Sequence, residues 1–221
     1  MTKSEIRSFV KGLVRGISVE ERTRFSEALK EEVVGLECWR SAKEVMLFFS
    51  LPDEVDMLPL IRAALAEQKR IYLPRVIATQ VSRGVDVCEV AEGNTLAMGG
   101  TLPKESTLPA GNGERGEEMV LEVRELAPEQ LAPGRWGIWE PTDEAPLLSD
   151  YSRLDLVVVP GVAFSSDGKR LGRGKSFYDR FLPLVPRAAF VGVCYPCQVV
   201  EQIPADPWDI GMDIVCCGKK R

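Results

Sequence analysis

A chain of 221 residues with 45% hydrophobic and 28% charged side chains has ordinary globular composition, enough for one sizeable α/β domain or two small ones. Its net charge of −5 excludes a general nucleic-acid or anionic-membrane surface, which needs a basic excess, so any polyanion must be met by a local cluster of cations. The chain has no histidine, which removes His triads, His–metal sites and imidazole acid–base chemistry and leaves carboxylates, Lys, Arg, Tyr, Cys and the backbone.

The N-terminal run Met1-Thr-Lys-Ser-Glu-Ile-Arg7 has no apolar signal region, and no stretch approaches the roughly 18 apolar residues of a membrane span. The expectation is a cytoplasmic monomer with no membrane or nucleic-acid partner. Six cysteines then read as reduced thiols. Cys194-Tyr-Pro-Cys197 and Cys216-Cys217 lack the second CxxC or histidines of a zinc site, and Cys194 closes an apolar run instead of opening a helix. Inert, half-buried thiols are expected.

In chain order, residues 3–15 carry apolar positions at helical spacing, with Ile6, Phe9, Val10 and Leu13 on one face and Gly16 as the stop. Ser18-Val-Glu-Glu21 is a capping-box sequence opening a second helix to about Gly35. Glu44-Val-Met-Leu-Phe-Phe49 reads as a strand, the segment after Pro52-Asp53 as a helix through Leu65, and Arg70-Ile-Tyr-Leu-Pro74 as a second buried strand. Strand, helix, strand is a βαβ unit, which implies parallel pairing. Strands are expected at 85–90 and 119–126, flanking a mobile Gly/Pro/Ser/Thr-rich loop over about 92–118. Leu154-Asp-Leu-Val-Val-Val-Pro160 reads as a fully buried strand. A helix over Ser176–Leu184, strands at Ala189–Cys194 and Asp213–Cys217, and a frayed Gly218-Lys-Lys-Arg221 tail follow. The expected architecture is a single domain over 1–221, a three-layer α/β/α sandwich with a mostly parallel, Rossmann-like central sheet.

The segment Gly168-Lys-Arg-Leu-Gly-Arg-Gly-Lys-Ser-Phe-Tyr-Asp179 concentrates Lys169, Arg170, Arg173 and Lys175 with three glycines in an otherwise acidic chain. It leaves a buried strand and enters a helix, the carboxyl-end crevice where open α/β sheets bind ligands. Glycines let N–H groups turn toward an anion, and the helix N-terminus adds its dipole. A polyphosphate or similarly dense anion is indicated. A Walker A loop fails because Gly168 lies one residue too early before Gly174-Lys-Ser176, and a dinucleotide fingerprint fails because Phe177 stands where its third glycine belongs. Asp179 is either a magnesium ligand beside the phosphates or a first-turn carboxylate favoured by the helix dipole.

Arg170-Leu-Gly-Arg-Gly-Lys-Ser-Phe-Tyr-Asp179, following Asp155-Leu-Val-Val-Val-Pro-Gly-Val-Ala-Phe164, resembles the signature of the 5-formyltetrahydrofolate cyclo-ligase family, and the resemblance runs through nearly the whole chain. It implies ATP as co-substrate, Mg²⁺, and 5-formyltetrahydrofolate as the small-molecule substrate. Lys3 and Arg7 match the family's paired N-terminal cations for ATP, and i, i+4 spacing puts both on one helix face. The resemblance extends ATP binding to Arg170, Leu171, Gly172, Arg173, Gly174, Lys175, Ser176, Phe177 and Tyr178, with Arg173 and Lys175 catalytic. Phe49, Glu54, Trp136 and Phe177 would hold the folate, Glu54 by accepting two parallel N–H donors from the pterin edge. Asp179 and Asp209 would be the Mg²⁺ carboxylates. Ser176 and Phe177 depart from the family's usual Gly and Tyr, and Cys197 from a common glutamate.

The implied reaction suits a histidine-free chain. The formyl oxygen attacks the γ-phosphate, N10 then attacks the same carbon, and phosphate departs, so positioning and charge stabilisation suffice. Two other readings stay open. A phosphosugar or acyl-CoA enzyme on this scaffold would not require Glu54 with Trp136. A non-catalytic nucleotide- or folate-binding relative is compatible with the departures at Ser176 and Phe177.

Overall fold

The structure, a computed structural model, describes residues 1–80, 117–134 and 137–219. The chain divides into two compact units, Met1–Val76 with Leu121–Arg221, and Ile77–Val120.

The first helix, α1 (Lys3–Arg15), is opened by Thr2, whose hydroxyl accepts from the Glu5 N–H while the Glu5 carboxylate accepts from Thr2 N–H. Ser18 and Glu21 repeat the device at α2 (Val19–Val34). Each box satisfies two of the N–H groups a helix start leaves over. The inward face of α1 is Ile6, Val10 and Val14; Phe9 and Leu13 are 54% and 41% exposed. The apolar set expected at Ile6, Phe9, Val10 and Leu13 is therefore rotated. Phe9 and Leu13 lie just across from the i, i+4, i+8 stripe that packs.

A short α3 (Glu37–Ser41) seats the fully buried Trp39 before β1 (Glu44–Met46). Next come α4 (Leu58–Ala66), β2 (Arg70–Gln80) and β3 (Glu117–Glu125). β2 runs past its expected end at Pro74 into the second unit, which also holds the start of β3. The positions expected as a strand at 85–90 and most of the loop at 92–118 lie outside the described residues, while Glu117 and Glu118 belong to β3. A two-stranded antiparallel ribbon follows, β4 (Leu131–Pro133) with β5 (Trp139–Pro141). The remaining elements are β6 (Leu156–Pro160), β7 (Ala163–Ser165), β8 (Arg170–Leu171), α5 (Phe177–Phe181), β9 (Ala189–Val193), β10 (Val199–Val200) and β11 (Ile214–Cys216).

The central sheet has the order β11-β9-β6-β1-β2-β3, and the pairings of β11 with β9, β9 with β6, β6 with β1, and β1 with β2 are all parallel. Alternation along β1 and β6 divides the core. Val45, Leu47, Leu156 and Val158 face the cluster packed by α1, α2 and α4. Met46, Val157 and Val159 face the cluster of Tyr72, Phe164, Phe181 and Leu182. Burial on both faces explains why these strands read as continuous apolar runs. The result is the expected α/β fold with a largely parallel central sheet.

Three expectations are corrected. The basic segment does not pass directly from strand to helix. β7 and β8 form an antiparallel hairpin, and β10 joins β7, making a separate three-stranded sheet. Arg170 and Leu171 are thus strand residues, and the turn before them is Ser165–Lys169. The expected helix to Leu184 is α-helical only to Phe181 and finishes as a 3₁₀ turn at Leu182–Leu184, with Pro183 inside it. Nor is the C-terminus frayed at Gly218. The N–H groups of Cys217 and Gly218 both donate to the Glu32 carboxylate, and Gly218 is buried.

Candidate active site

At the carboxyl ends of β1 and β6 lies a cavity of about 440 Å³ within the first unit, in the size range of small-molecule sites. Phe48, Phe49, Pro74, Val76, Leu121 and Ile138 make its apolar wall, and Glu54, Glu140, Arg170, Arg173, Lys175 and Asp179 bring charge to it. Ser176, Phe177 and Tyr178 complete the side formed by the basic segment.

The β7–β8 hairpin sets the geometry of that segment. Gly168 has φ +84°, and a Cβ there would stand 2.4 Å from the Met212 carbonyl oxygen. The missing side chain lets the Met212 N–H donate to Gly168 O at 2.7 Å, which fixes the 206–213 segment against the hairpin. Lys169 turns away to Asp167 at 2.8 Å. The carboxyl of Asp167 is held down at about 2, first by Lys169 and then by the Ser165 hydroxyl.

Arg170 points inward. Its side chain is 3% exposed, and Nη2 donates to Asp179 at 2.6 Å. Nη1 reaches the Pro160 carbonyl at 3.3 Å, the guanidinium lies 5.7 Å from the Tyr178 ring centroid, and Nε has no partner. Burial raises the Tyr178 phenol, and the charge of Glu54 adds to the shift, so the ring is an aromatic surface with a neutral hydroxyl. Leu171, by contrast, is buried in the core, and only its backbone is available to a ligand.

Arg173 crosses to the turn after β1. It donates to both oxygens of Asp53 at 2.6 and 3.2 Å, and to Glu54 Oε1 at 3.0 and 3.2 Å. Glu54 is only 9% exposed. Burial pushes its carboxyl up, opposed by the Leu51 N–H and by Arg173. A second layer holds this turn. The fully buried Tyr195 donates its hydroxyl to the Glu54 carbonyl at 2.9 Å, and Arg22 reaches the Pro52 carbonyl at 3.3 Å. Tyr195 is the first of the two residues inside the CxxC. Burial raises the flanking thiols of Cys194 and Cys197, which works against a thiolate role.

Lys175 is exposed and, among the described residues, has no ion pair, unlike the other cations of the segment. Ser176 adopts the left-handed conformation, φ 53° and ψ 23°, which favours glycine. Ser176→Gly is expected to raise stability by about 0.5–1 kcal/mol, strain relief being partly offset by unfolded-chain entropy, whereas Ser176→Val should cost about 2 kcal/mol. Thermal unfolding giving any order other than Gly, Ser, Val would refute this.

The N-terminal pair approaches from α1. Arg7 Nε donates to the Gly172 carbonyl at 2.8 Å. Lys3 Nζ bonds Asp209 at 2.5 Å and Asp206 at 2.6 Å. Burial alone would lower the Lys3 pKa, and the two carboxylates more than offset it. Lys3 and Arg7 thus share one face, directed at the two C-terminal segments expected to handle phosphate. Neither they, Gly174 nor Asp209 line the cavity itself. Trp136 lies outside the described residues.

The sequence reading missed two carboxylates here. One is Asp53, beside Glu54, for which Pro52-Asp-Glu54 offers the signal of two adjacent acids at a strand end. Glu140 is buried and lines the cavity; an acid inside the apolar Ile138-Trp-Glu-Pro141 run was its available signal.

A strand-end cavity with an aromatic and apolar wall, the two largely buried carboxylates Glu54 and Glu140, and a cluster of cations defines an α/β enzyme of the anion-handling kind. The model of the 5-formyltetrahydrofolate cyclo-ligase family matches residues 1–218. The chain belongs to that family. The 5-formyltetrahydrofolate cyclo-ligase of Escherichia coli K12 is 30% identical over 181 residues, covering 81% of this chain and 80% of its own. The mouse cyclo-ligase is 29% identical, covering 96% of this chain and 92% of its own. The solution structure of Aquifex aeolicus 5,10-methenyltetrahydrofolate synthetase superposes with a TM-score of 0.71 at 31% identity, covering 100% of this chain and 91% of that one.

Proposed function

We propose that the chain catalyses the ATP-dependent cyclisation of 5-formyltetrahydrofolate to 5,10-methenyltetrahydrofolate, with release of ADP and phosphate. The observation carrying this reading is that one cavity joins Glu54 and an aromatic wall to the Arg170–Asp179 segment. A pterin has a flat π-face and an edge of adjacent N–H donors. Phe49, Phe177 and Tyr178 supply surfaces for the face, and the desolvated Glu54 carboxylate suits the edge.

In this reading Lys175 and Arg173 meet the transferring phosphoryl group, Arg7 steadies Gly172 under the phosphates, and Lys3 approaches from the same helix face. The formyl oxygen bonds to the γ-phosphorus as ADP leaves. N10 then bonds to the formyl carbon, loses its proton to solvent, and phosphate departs. The cations stabilise charge on the phosphoryl oxygens, and the apolar wall keeps water from the activated carbon.

For magnesium, the donors fit an ion that arrives on the nucleotide. No group of three or more Cys, Asp or Glu among the described residues is arranged to hold a metal. Asp179 and Asp209 are each ion-paired, with Arg170 and Lys3. Mg²⁺ commonly needs one or two carboxylates beside substrate phosphates, and these two are the candidates. Its contribution would be neutralisation of phosphate charge.

The test is incubation with 5-formyltetrahydrofolate and ATP·Mg²⁺, following the methenyl product by absorbance. Product is expected only with ATP. Its absence would overturn the proposal, and tight nucleotide binding without turnover would identify a non-catalytic relative.

A further inference from the structure

The position of Arg173 carries a consequence for how two substrates share the site. A guanidinium has five N–H groups in a rigid fork. Nε bonds Glu54, Nη1 bonds Asp53, and Nη2 bonds both, so four hydrogen bonds are directed at the two carboxylates. One Nη1 N–H remains. A bidentate grip on phosphate, the mode that makes arginine effective there, needs two donors on one edge. Arg173 therefore cannot hold both carboxylates and grip a phosphoryl group in that way.

We propose that Arg173 is an exchanging arm, held by Asp53 and Glu54 in the empty site and passed to the polyphosphate when a pterin takes over Glu54, so that the two substrates bind with positive coupling. Asp53 is the positioning residue of this exchange. It grips Arg173 through both oxygens, and its carboxyl is held down by that arginine against the opposing effect of burial. A pterin edge donating to Glu54 competes directly for Oε1, the atom Arg173 now uses. Once Glu54 is taken, Nε and one Nη2 N–H, which lie on the same edge of the fork, are released together. That is the bidentate edge a phosphoryl group requires. A ligand that frees this edge lowers the cost of binding the other, and linkage makes the effect reciprocal.

The alternative within the same geometry is a static arginine that only braces the Asp53–Glu54 turn. That turn is already braced on its other side by Tyr195 and Arg22, so the ion pairs are not needed to define it.

This inference rests on the proposed reaction, and one experiment separates the two. A β,γ-imido ATP analogue with Mg²⁺ is titrated calorimetrically into the full chain, alone or saturated with 5-methyltetrahydrofolate, which brings the pterin but not the formyl oxygen. The expected result is nucleotide binding about tenfold tighter with the folate present, within the usual range of coupling energies. Asp53→Asn loosens the hold on Arg173, so it should tighten nucleotide binding to the empty chain about threefold and shrink the coupling by the same factor. A merely structural defect would weaken binding instead. Equal nucleotide affinity with and without folate in the unaltered chain overturns the exchange, as does weaker binding or undiminished coupling in Asp53→Asn. If the unaltered chain makes methenyl product yet shows no coupling, only the exchange fails. If it makes no product, the proposed reaction fails.

Discussion

Replacing Lys175 with alanine is expected to lower kcat/KM by about 10²–10³, through both a higher KM for ATP and a lower kcat, with little change in stability. The side chain is exposed, lines the cavity, and has no ion pair among the described residues. Each of the other cations of its segment spends charge on a carboxylate before any ligand arrives. Among the described cations of the segment, Lys175 alone brings an uncompensated positive charge to an incoming polyphosphate. Its effect should begin in the ground state and grow as charge moves onto the phosphoryl oxygens, so both kinetic constants should change. Removing an exposed, unpaired lysine should alter stability by no more than about 0.5 kcal/mol. Lys175→Arg should recover part of the ATP affinity and less of the turnover, because a planar fork does not replace a compact ammonium. Steady-state kinetics with 5-formyltetrahydrofolate, beside thermal unfolding, would measure this. An unchanged kcat/KM would reduce Lys175 to a solvated surface cation.

The difference in pairing between Lys175 and its neighbours was not legible in the sequence, because composition and spacing do not show which of the four cations meets a carboxylate. What could be read were the signals that depend on nearby residues. Apolar spacing over residues 3–15 with the stop at Gly16, and the capping box at Ser18, placed α1 and α2 to within a residue, because both signals lie within a few positions of each other. The run Leu156–Pro160 identified the central strand because both faces are covered. Long-range partners could not be read. Asp167 neutralises Lys169 across a turn, but Asp53 and Glu54 reach Arg173 over more than a hundred positions. The β7–β8 hairpin was missed for a related reason. Two short strands are held mainly by pairing to each other and to β10, and carry little periodicity of their own. Ser176 shows the converse. The sequence marked it as a departure from glycine, and its left-handed backbone supplies the physical reason glycine is favoured there.

Asp179→Ala is expected to cost about 3–5 kcal/mol of stability as well as activity, because it strands a charge. The Arg170 side chain is 3% exposed against 14% for Asp179, and its Nε already lacks a partner. Without Asp179 the guanidinium keeps one long bond to the Pro160 carbonyl and the Tyr178 ring, too little to compensate a buried cation. Asp179→Asn keeps an acceptor for Nη2 and should lose less stability. In the double variant Arg170→Met/Asp179→Ala the buried charge is gone and an apolar chain fills its space. Most of the lost stability should then return, while activity stays low. This pattern separates two roles for the carboxylate. If Asp179 served only as a metal ligand, alanine would leave the unfolding midpoint unchanged, and raised Mg²⁺ would restore turnover. If it serves chiefly to hold Arg170 in the cavity wall, the midpoint falls, Mg²⁺ restores nothing, and removing Arg170 rescues folding alone. Chemical denaturation of the three variants, with turnover measured across a Mg²⁺ series, distinguishes them. The ion pair already present predicts the second outcome, because a metal at Asp179 must first displace a buried arginine whose one ion pair among the described residues is with that carboxylate.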